Sequence, residues 1–136
     1  MVDLSHLHAG LVGSAELLVG PEHTAPRVGS GRVPVLATPV MINVIEAAAL
    51  AAVEHLLPAG HQSLGIHLDV RHFAATPVGM RIWASAELVA VEGRRLSFQV
   101  AARDEKEPIG DGRHERVVVN VARFDQRVQA KLKPAS

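Results

Sequence analysis

The feature that most constrains this chain is a long apolar run in its first half, residues 39–57, which reads PVMINVIEAAALAAVEHLL. Thr38 followed by Pro39 is a typical helix start, and Pro58 with Gly60 is a typical helix end. The run therefore predicts one helix of about five turns with Thr38 as its N-cap. Because the run is apolar nearly all round, we expect other elements to cover the helix on most sides.

The chain after Gly60 changes to a period of two, which is typical of half-buried strands. Residues 64–73, 79–91, 96–102 and 110–121 form four such runs, with turns at residues 92–93 and 104–108. Strict alternation places the following residues on the faces that we expect to be buried: Leu64, Ile66, Leu68, Val70 and His72 in the first run, Met80, Ile82, Ala84, Ala86 and Leu88 in the second, and Leu96, Phe98, Val100 and Ala102 in the third.

Three further segments complete the order of elements. Residues 11–19 predict a short strand, and residues 20–37, with three prolines and three glycines, predict a loop with at most a short helical turn. Residues 123–133 predict an amphipathic tail helix with Phe124, Val128 and Leu132 on one face. One buried helix against an antiparallel sheet is an α+β architecture, and a sheet wrapped around a single helix is the hot-dog fold. Cystatin-like and nuclear-transport-factor-like folds are alternatives, but they need a helix nearer the N-terminus or more helices.

Composition limits the possible functions. The chain has 136 residues, which indicates a single domain over residues 1–136, and its 14 basic and 14 acidic side chains give a formal net charge of zero. It has no cysteine or tyrosine, so thiol nucleophiles, disulfides and thiolate zinc sites are excluded. Neutrality and few aromatic residues argue against a nucleic-acid partner. Any chemistry would fall to histidines, carboxylates, hydroxyls and backbone amides.

No motif indicates a metal, a membrane or an export signal. His67 and His72 lie an odd number of residues apart, so a regular strand would point them to opposite sides, and we expect no metal site. Residues 39–53 are too short and too polar, with Asn43 and Glu46, for a membrane span. The N-terminus does not resemble a signal peptide. A cytoplasmic protein without a membrane partner is therefore expected.

Three polar residues occur where the pattern predicts apolar surroundings: Thr38, Glu46 and His72. Glu46 lies in the middle of the alanine-rich helix, where a desolvated carboxylate would suit proton transfer or nucleophilic attack, although it could equally belong to an exposed stripe. His72 shares the predicted buried face of its strand, which should meet the helix, although a lone histidine there is more often a core residue. Thr38, besides capping, would lie beside free helix N–H groups that can hold an oxyanion.

Four segments carry a resemblance: ATPVMINVIEAA, GIHLDVRHFAATPVGM, VEGRRLSF and GDGRHERVVVNVARF. Together they resemble the fluoroacetyl-CoA thioesterase type of hot-dog protein. The resemblance implies a homodimer that hydrolyses an acyl-CoA substrate, with neither a metal nor an organic cofactor. It implies that Thr38, Glu46 and His72 form the catalytic set, that Gly65 lies near the thioester carbonyl, and that Arg116 also belongs to the substrate site.

The loop before Thr38 departs from the specialised members of this family, which place phenylalanines there over the acyl group. Here residues 28–37 read VGSGRVPVLA, with Gly29 and Arg32 about where those aromatic residues would stand. This difference predicts a broader or different short-acyl preference. Two other hypotheses remain open at this point: a non-catalytic acyl-CoA-binding module, and an enoyl-CoA hydratase on the same fold.

Overall fold

The protein is described by a computed structural model that covers residues 2–134. Its elements follow the predicted order. The strands are β1 (Val12–Leu18), β2 (His61–His72), β3 (Arg81–Glu92), β4 (Arg95–Asp104) and β5 (Pro108–Asn120); the helices are α1 (Ala25–Val28), α2 (Thr38–Val53) and α3 (Val121–Ala130); and 3₁₀ turns cover Pro21–His23 and Glu54–Leu56.

The five strands form one antiparallel sheet in the order β1-β3-β4-β5-β2. Helix α2 lies against the face formed by β1, β3 and β4. This is the predicted α+β arrangement of one long helix and a sheet that wraps it. Strand β2 is at one end of the strand order, so one of its two edges has no neighbour in the sheet of residues 2–134.

The core lies between α2 and the sheet. Eight residues of α2 are buried: Val40, Met41, Val44, Ile45, Ala48, Ala49, Ala52 and Val53. Alternation in β3 and β4 holds as predicted, since Ile82, Ala84, Ala86 and Leu88 and then Leu96, Phe98, Val100 and Ala102 are all buried. Gly13 of β1 lets the helix come close, because a Cβ on this residue would meet the backbone of α2 at Ala48 and Ala52.

The ends of α2 differ from the sequence-based prediction. Thr38 is not the N-cap: Ala37 takes that position with extended backbone and no side-chain cap, and Thr38 is the first helical residue. The Thr38 hydroxyl is instead hydrogen bonded to His72. At the other end, regular α-helix stops at Val53, and the chain continues as a 3₁₀ turn through Leu56.

A β-bulge in β2 overturns the prediction that every even residue of this strand is buried. Gly65 pairs with Arg116 but His67 pairs with Glu115, so Ile66 is an extra residue opposite β5. An extra residue reverses the alternation beyond it. Ser63 and Gly65 therefore face α2 before the bulge, and the even residues after the bulge point to the same side.

Two smaller differences concern exposed parts of the chain. Ile66 and Leu68 are 51% and 43% exposed in a single chain, where the sequence pattern predicts burial. No residue of α3 is buried, so its predicted apolar face has no cover within residues 2–134.

The length and composition of α2 and the turn after it do not exclude a membrane span. Thr38–Leu56 is long and apolar enough to cross a membrane by length and composition, contrary to the argument from sequence. Its contacts with β1 and β3 are those of a core helix.

Candidate active site

The structure brings the first helical residue of α2 to the last residue of β2. The Thr38 hydroxyl and His72 Nδ1 share a hydrogen bond of 2.7 Å. The other ring nitrogen of His72, Nε2, is buried and has no hydrogen-bond partner among residues 2–134. Burial lowers the pKa of His72, and the nearby Ala74 backbone acts in the opposite direction. A neutral imidazole with one free nitrogen is suited to take up a proton.

A cavity of about 380 Å³ adjoins this pair. Thr38 and His72 form part of its wall, and most of the rest comes from the loop before α2 and from the segment after β2. Its lining residues are Ala25, Ser30, Gly31, Arg32, Val33, Val35, Leu36, Thr38, His72, Phe73, Ala74 and Ala75. The cavity therefore gives a small ligand access to the Thr38–His72 pair.

Glu46 belongs to a second cluster, in the middle of α2. Its Oε2 atom lies 2.9 Å from Nη1 of Arg116, and its side chain is 33% exposed. Gly65 lies directly beside the carboxylate, since a Cβ on this residue would come within 2.5 Å of Glu46 Oε2. Three of the predicted site residues, Glu46, Gly65 and Arg116, are therefore neighbours. Only a residue without a side chain fits at position 65 while the carboxylate stays in place.

Arg116 is 5% exposed and is held by residues that the sequence analysis did not select. Its Nε donates to Ser63 Oγ at 2.7 Å, and its Nη2 donates to the Ser63 carbonyl at 3.0 Å. Ser63 in turn donates from its N–H and its hydroxyl to the two carboxylate oxygens of Glu54, each at 2.9 Å. The sequence offers one signal for this group of residues: Glu54 follows Glu46 by eight positions and lies near it on the same side of the predicted helix.

His114 is a third residue that the sequence patterns do not single out, although it stands in the HER segment of the family resemblance. It is fully buried, and its Nε2 lies 3.1 Å from Arg116 Nη1 and 3.7 Å from Glu46 Oε2. Its Nδ1 lies 2.9 Å from the carbonyl oxygen of His67. The His114 ring therefore contacts the Arg116 guanidinium together with Ser63 and Glu46.

The two clusters do not meet within one chain. Thr38 and Glu46 are eight residues apart on α2, which corresponds to roughly 12 Å along the helix axis. His72 is hydrogen bonded to Thr38, whereas the hydrogen bond of Glu46 goes to Arg116. Because His72 lies on a face predicted to meet the helix that carries Glu46, the two could be expected to pair, but within a single chain they share no hydrogen bond. The bulge at Ile66 nevertheless turns Gly65 and His72 to the same side of β2.

Thr76, in the AATPVG segment, has a structural role. It is fully buried and donates from its hydroxyl to Asp104 Oδ2 at 2.9 Å, and its carbonyl accepts from the N–H of Leu36 at 2.9 Å. These bonds tie the segment after β2 to β4 and to the loop before α2. Within residues 2–134, no group of three histidine or acidic side chains is placed to hold a metal ion.

The sequence of the chain matches a known protein family. A family model described as fluoroacetyl-CoA-specific thioesterase matches residues 19–122. The chain belongs to this family. A fluoroacetyl-CoA thioesterase from Streptantibioticus cattleyicolor is 43% identical over 97 residues, which is 71% of this chain and 70% of that protein. Membership in this thioesterase family confirms the resemblance inferred from the motifs. It also favours a thioesterase over the binding module and the hydratase.

Solved structures agree with this assignment. A fluoroacetyl-CoA thioesterase, 35% identical, superposes with a TM-score of 0.88, covering 94% of this chain and 98% of that chain. A hot-dog-like protein from Thermanaerovibrio acidaminovorans, 22% identical, superposes with a TM-score of 0.87 over 96% of this chain and 97% of that chain. The hot-dog fold predicted from the sequence is therefore confirmed.

Proposed function

We propose that this member of the fluoroacetyl-CoA-specific thioesterase family hydrolyses a short-chain acyl-CoA to the free acid and CoA, as a homodimer. The observation that carries the proposal is the hydrogen bond between Thr38 and His72 at 2.7 Å on the wall of a small cavity. In this proposal Thr38, His72 and Glu46 act on the thioester, and Gly65 and Arg116 shape the place where Glu46 acts.

The homodimer is supported by the surface that a single chain leaves uncovered. Strand β2 has 12 residues and, in the part of the chain that the structure describes, one edge without a neighbour; Ile66 and Leu68 are exposed on this strand. Unpaired edges and exposed apolar side chains favour association. Pairing of two β2 edges across a twofold axis would extend the sheet and set the two α2 helices side by side. The Glu46 cluster of one protomer would then approach the Thr38–His72 pair of its partner.

Each residue has a defined part in the proposed hydrolysis. Thr38 Oγ accepts the Nδ1–H of His72, which leaves Nε2 as a proton acceptor, and the Thr38 O–H donates to the thioester carbonyl. After a rotation of its ring that turns the buried Nε2 toward the cavity, His72 takes a proton from water while the water oxygen bonds to the carbonyl carbon. The partner's Glu46 accepts the second water hydrogen and thereby aligns the water. The carbon–sulfur bond then breaks, and the proton on His72 passes to the CoA sulfur.

The acyl group is proposed to lie in the cavity beside Thr38 and His72. The loop of residues 28–37 contributes no aromatic side chain to this cavity, and Phe73 is its one aromatic lining residue. Phe73 is 50% exposed. A wall of glycine, alanine and valine should close less tightly over a two-carbon acyl group than phenylalanines would. We therefore propose a short-acyl preference that is not restricted to fluoroacetyl-CoA.

A panel of acyl-CoA thioesters tests this function through the release of free thiol. We expect hydrolysis of several short saturated acyl-CoAs, with kcat/KM for fluoroacetyl-CoA and acetyl-CoA within about 100-fold, since one small group changes binding by about 1–3 kcal/mol. Glu46→Gln should abolish most thiol release while CoA binding, measured by calorimetry, is retained.

Three results would contradict the proposal in different ways. CoA binding without thiol release from any member of the panel would indicate a binding module. Loss of the enoyl absorbance of an enoyl-CoA without thiol release would indicate a hydratase. A preference for fluoroacetyl-CoA over acetyl-CoA by several orders of magnitude would leave the hydrolysis in place but overturn the proposed acyl preference.

A further inference from the structure

The buried ring of His114 has two hydrogen bonds, and the proposed hydrolysis uses neither. The ring is stacked on Phe98, with centroids 6.1 Å apart, and its edge contacts Arg116 at Nε2. Arg116 Nη1 is 3.1 Å from His114 Nε2 and 2.9 Å from Glu46 Oε2. One guanidinium nitrogen therefore contacts both the buried ring and the carboxylate of the proposed site.

The chemistry of these contacts fixes the protonation state of the ring. A guanidinium carries only donors, so Arg116 Nη1 donates to His114 Nε2, and this ring nitrogen bears no proton. The ring proton is then on Nδ1, which donates to the His67 carbonyl at 2.9 Å. His114 is thus a neutral imidazole in the Nδ1–H form. Burial lowers the pKa of His114 and outweighs the hydrogen bond to the His67 carbonyl, which raises it; the charge of Arg116 lowers this pKa and the charge of Glu46 raises it.

The hydrogen bonds of Arg116 leave its side chain little freedom. One N–H of Nη1 goes to His114 and the other to Glu46, while Nε and Nη2 each donate to Ser63. Four of the five N–H groups of the guanidinium therefore have acceptors, and the fork cannot turn without breaking several bonds. Ser63 holds the Nε and Nη2 edge of the guanidinium, and the acceptor on His114 holds Nη1, the nitrogen whose other N–H reaches Glu46.

We infer that His114 is a positioning residue, which as a neutral Nδ1–H ring fixes the direction in which Arg116 holds the Glu46 carboxylate. The inference rests on the proposed function, in which Glu46 aligns the attacking water. A protonated ring would turn the acceptor at Nε2 into a donor that faces a guanidinium. It would also compete with Arg116 for Glu46 Oε2, which is 3.7 Å from Nε2.

Four elements surround the ring, and their groups act on its charge in different directions: burial and Arg116 favour the neutral form, whereas the His67 carbonyl and the Glu46 carboxylate favour the protonated form. Glu46 faces it from α2, Arg116 from β5, the His67 carbonyl from β2, and the apolar Phe98 from β4. His67 follows directly after the bulge residue Ile66. The bulge therefore lies next to the acceptor that keeps the ring proton on Nδ1.

The tautomer can be tested without any measurement of activity. In the wild-type protein with ¹⁵N-labelled histidine, two-bond ¹⁵N–¹H spectra near pH 7.5 distinguish a protonated from an unprotonated ring nitrogen. The cross-peaks that disappear in His114→Gln belong to His114. We expect a protonated Nδ1 and an unprotonated Nε2, whereas the Nε2–H form or an imidazolium at this pH would overturn the inference.

Two substitutions separate the two hydrogen bonds of the ring. The side-chain carbonyl of Gln can take the place of Nε2 as acceptor for Arg116, whereas the shorter Asn can reach the His67 carbonyl but not Arg116. We expect His114→Gln to keep kcat within about threefold of wild type, and His114→Asn to lower kcat by about 10- to 100-fold with little change in KM, as for a misaligned reacting group.

The thermal unfolding midpoints of both variants serve as the control for packing. Equal losses of kcat in the two variants, in proportion to their losses of thermal stability, would show a packing role only and overturn the inference. Undiminished kcat in His114→Asn would also overturn it. If the wild-type protein releases no thiol from any acyl-CoA, the proposed function fails and the positioning role fails with it. The tautomer is still decided by the spectra in that case.

Discussion

His72→Ala is expected to lower kcat/KM for acyl-CoA hydrolysis by about 10²- to 10⁴-fold, the usual contribution of a general base. The variant removes the buried Nε2 that has no partner among residues 2–134, and it leaves Thr38 without its hydrogen bond. Because the His72 ring is only partly buried, the fold should be retained. Steady-state thiol release over a range of pH, with circular dichroism as the folding check, measures this effect.

The pH profile gives an independent reading of the same residue. Burial lowers the pKa of His72, so the ring of the wild-type protein should remain an active base somewhat below pH 6.5, and kcat/KM should fall as the pH drops through the lowered pKa. In His72→Ala, the residual kcat/KM should no longer fall as the pH drops through this range. The exposed His55 provides a matched control, and His55→Ala should behave as wild type. A His72→Ala variant within tenfold of wild type would contradict the assigned role.

Gly65→Ala is expected to lower kcat by about 100-fold, the size of effect that a displacement of about 1 Å in a reacting group produces. The added Cβ would come within 2.5 Å of Glu46 Oε2 and 3.2 Å of the His114 ring. The atom that must move is the end of a glutamate side chain, so the fold can absorb the change while the carboxylate is displaced. Steady-state kinetics together with thermal unfolding should therefore show lost turnover and a nearly unchanged melting temperature.

Gly13→Ala is the matched control, because it adds the same methyl group at a position away from the candidate site. There the new Cβ would meet backbone atoms of Ala48 and Ala52 in α2, which cannot swing aside. Overpacking of this kind costs about 1–3 kcal/mol of the free energy of unfolding. Gly13→Ala should therefore lower the melting temperature, while kcat per folded molecule should stay at the wild-type value. The account would be contradicted if Gly65→Ala were fully active, or if it lost stability to the extent that Gly13→Ala does.

The parts of the fold that could be predicted from the sequence are those governed by local periodicity. The helix α2 and the buried alternation of β3 and β4 follow from regular patterns of apolar residues, and the order of elements then indicates a hot-dog fold. The presence of β2 could also be predicted, but not its start at His61, three residues before the predicted run, nor the direction of its side chains. One extra residue, Ile66, reverses the alternation. A glycine within a strand, here Gly65, often marks a bulge, but it does not fix which residue is extra or how the register shifts.

The candidate site was predictable residue by residue but not as an arrangement. Thr38, Glu46 and His72 stand out because they are polar in apolar surroundings, and Gly65 and Arg116 were added by the family resemblance. Their division into two clusters depends on the pairing of β2 with β5, which joins residues about 50 positions apart in the chain. Ser63 has no unusual sequence context, and His114 is marked only by the HER segment of the family resemblance. The importance of both residues comes from the buried guanidinium that they contact.

The central claim is that hydrolysis takes place at a site shared by two copies of the chain. It is tested most directly by mixing two inactive variants, Glu46→Gln and His72→Ala, after subunit exchange verified with differently tagged chains. Each mixed dimer would contain one site with an intact Thr38–His72 pair and an intact partner's Glu46. We predict recovery of about one quarter of wild-type thiol release, because half of the dimers would be mixed and each would have one working site of two. Verified exchange without any recovery of thiol release would contradict the account.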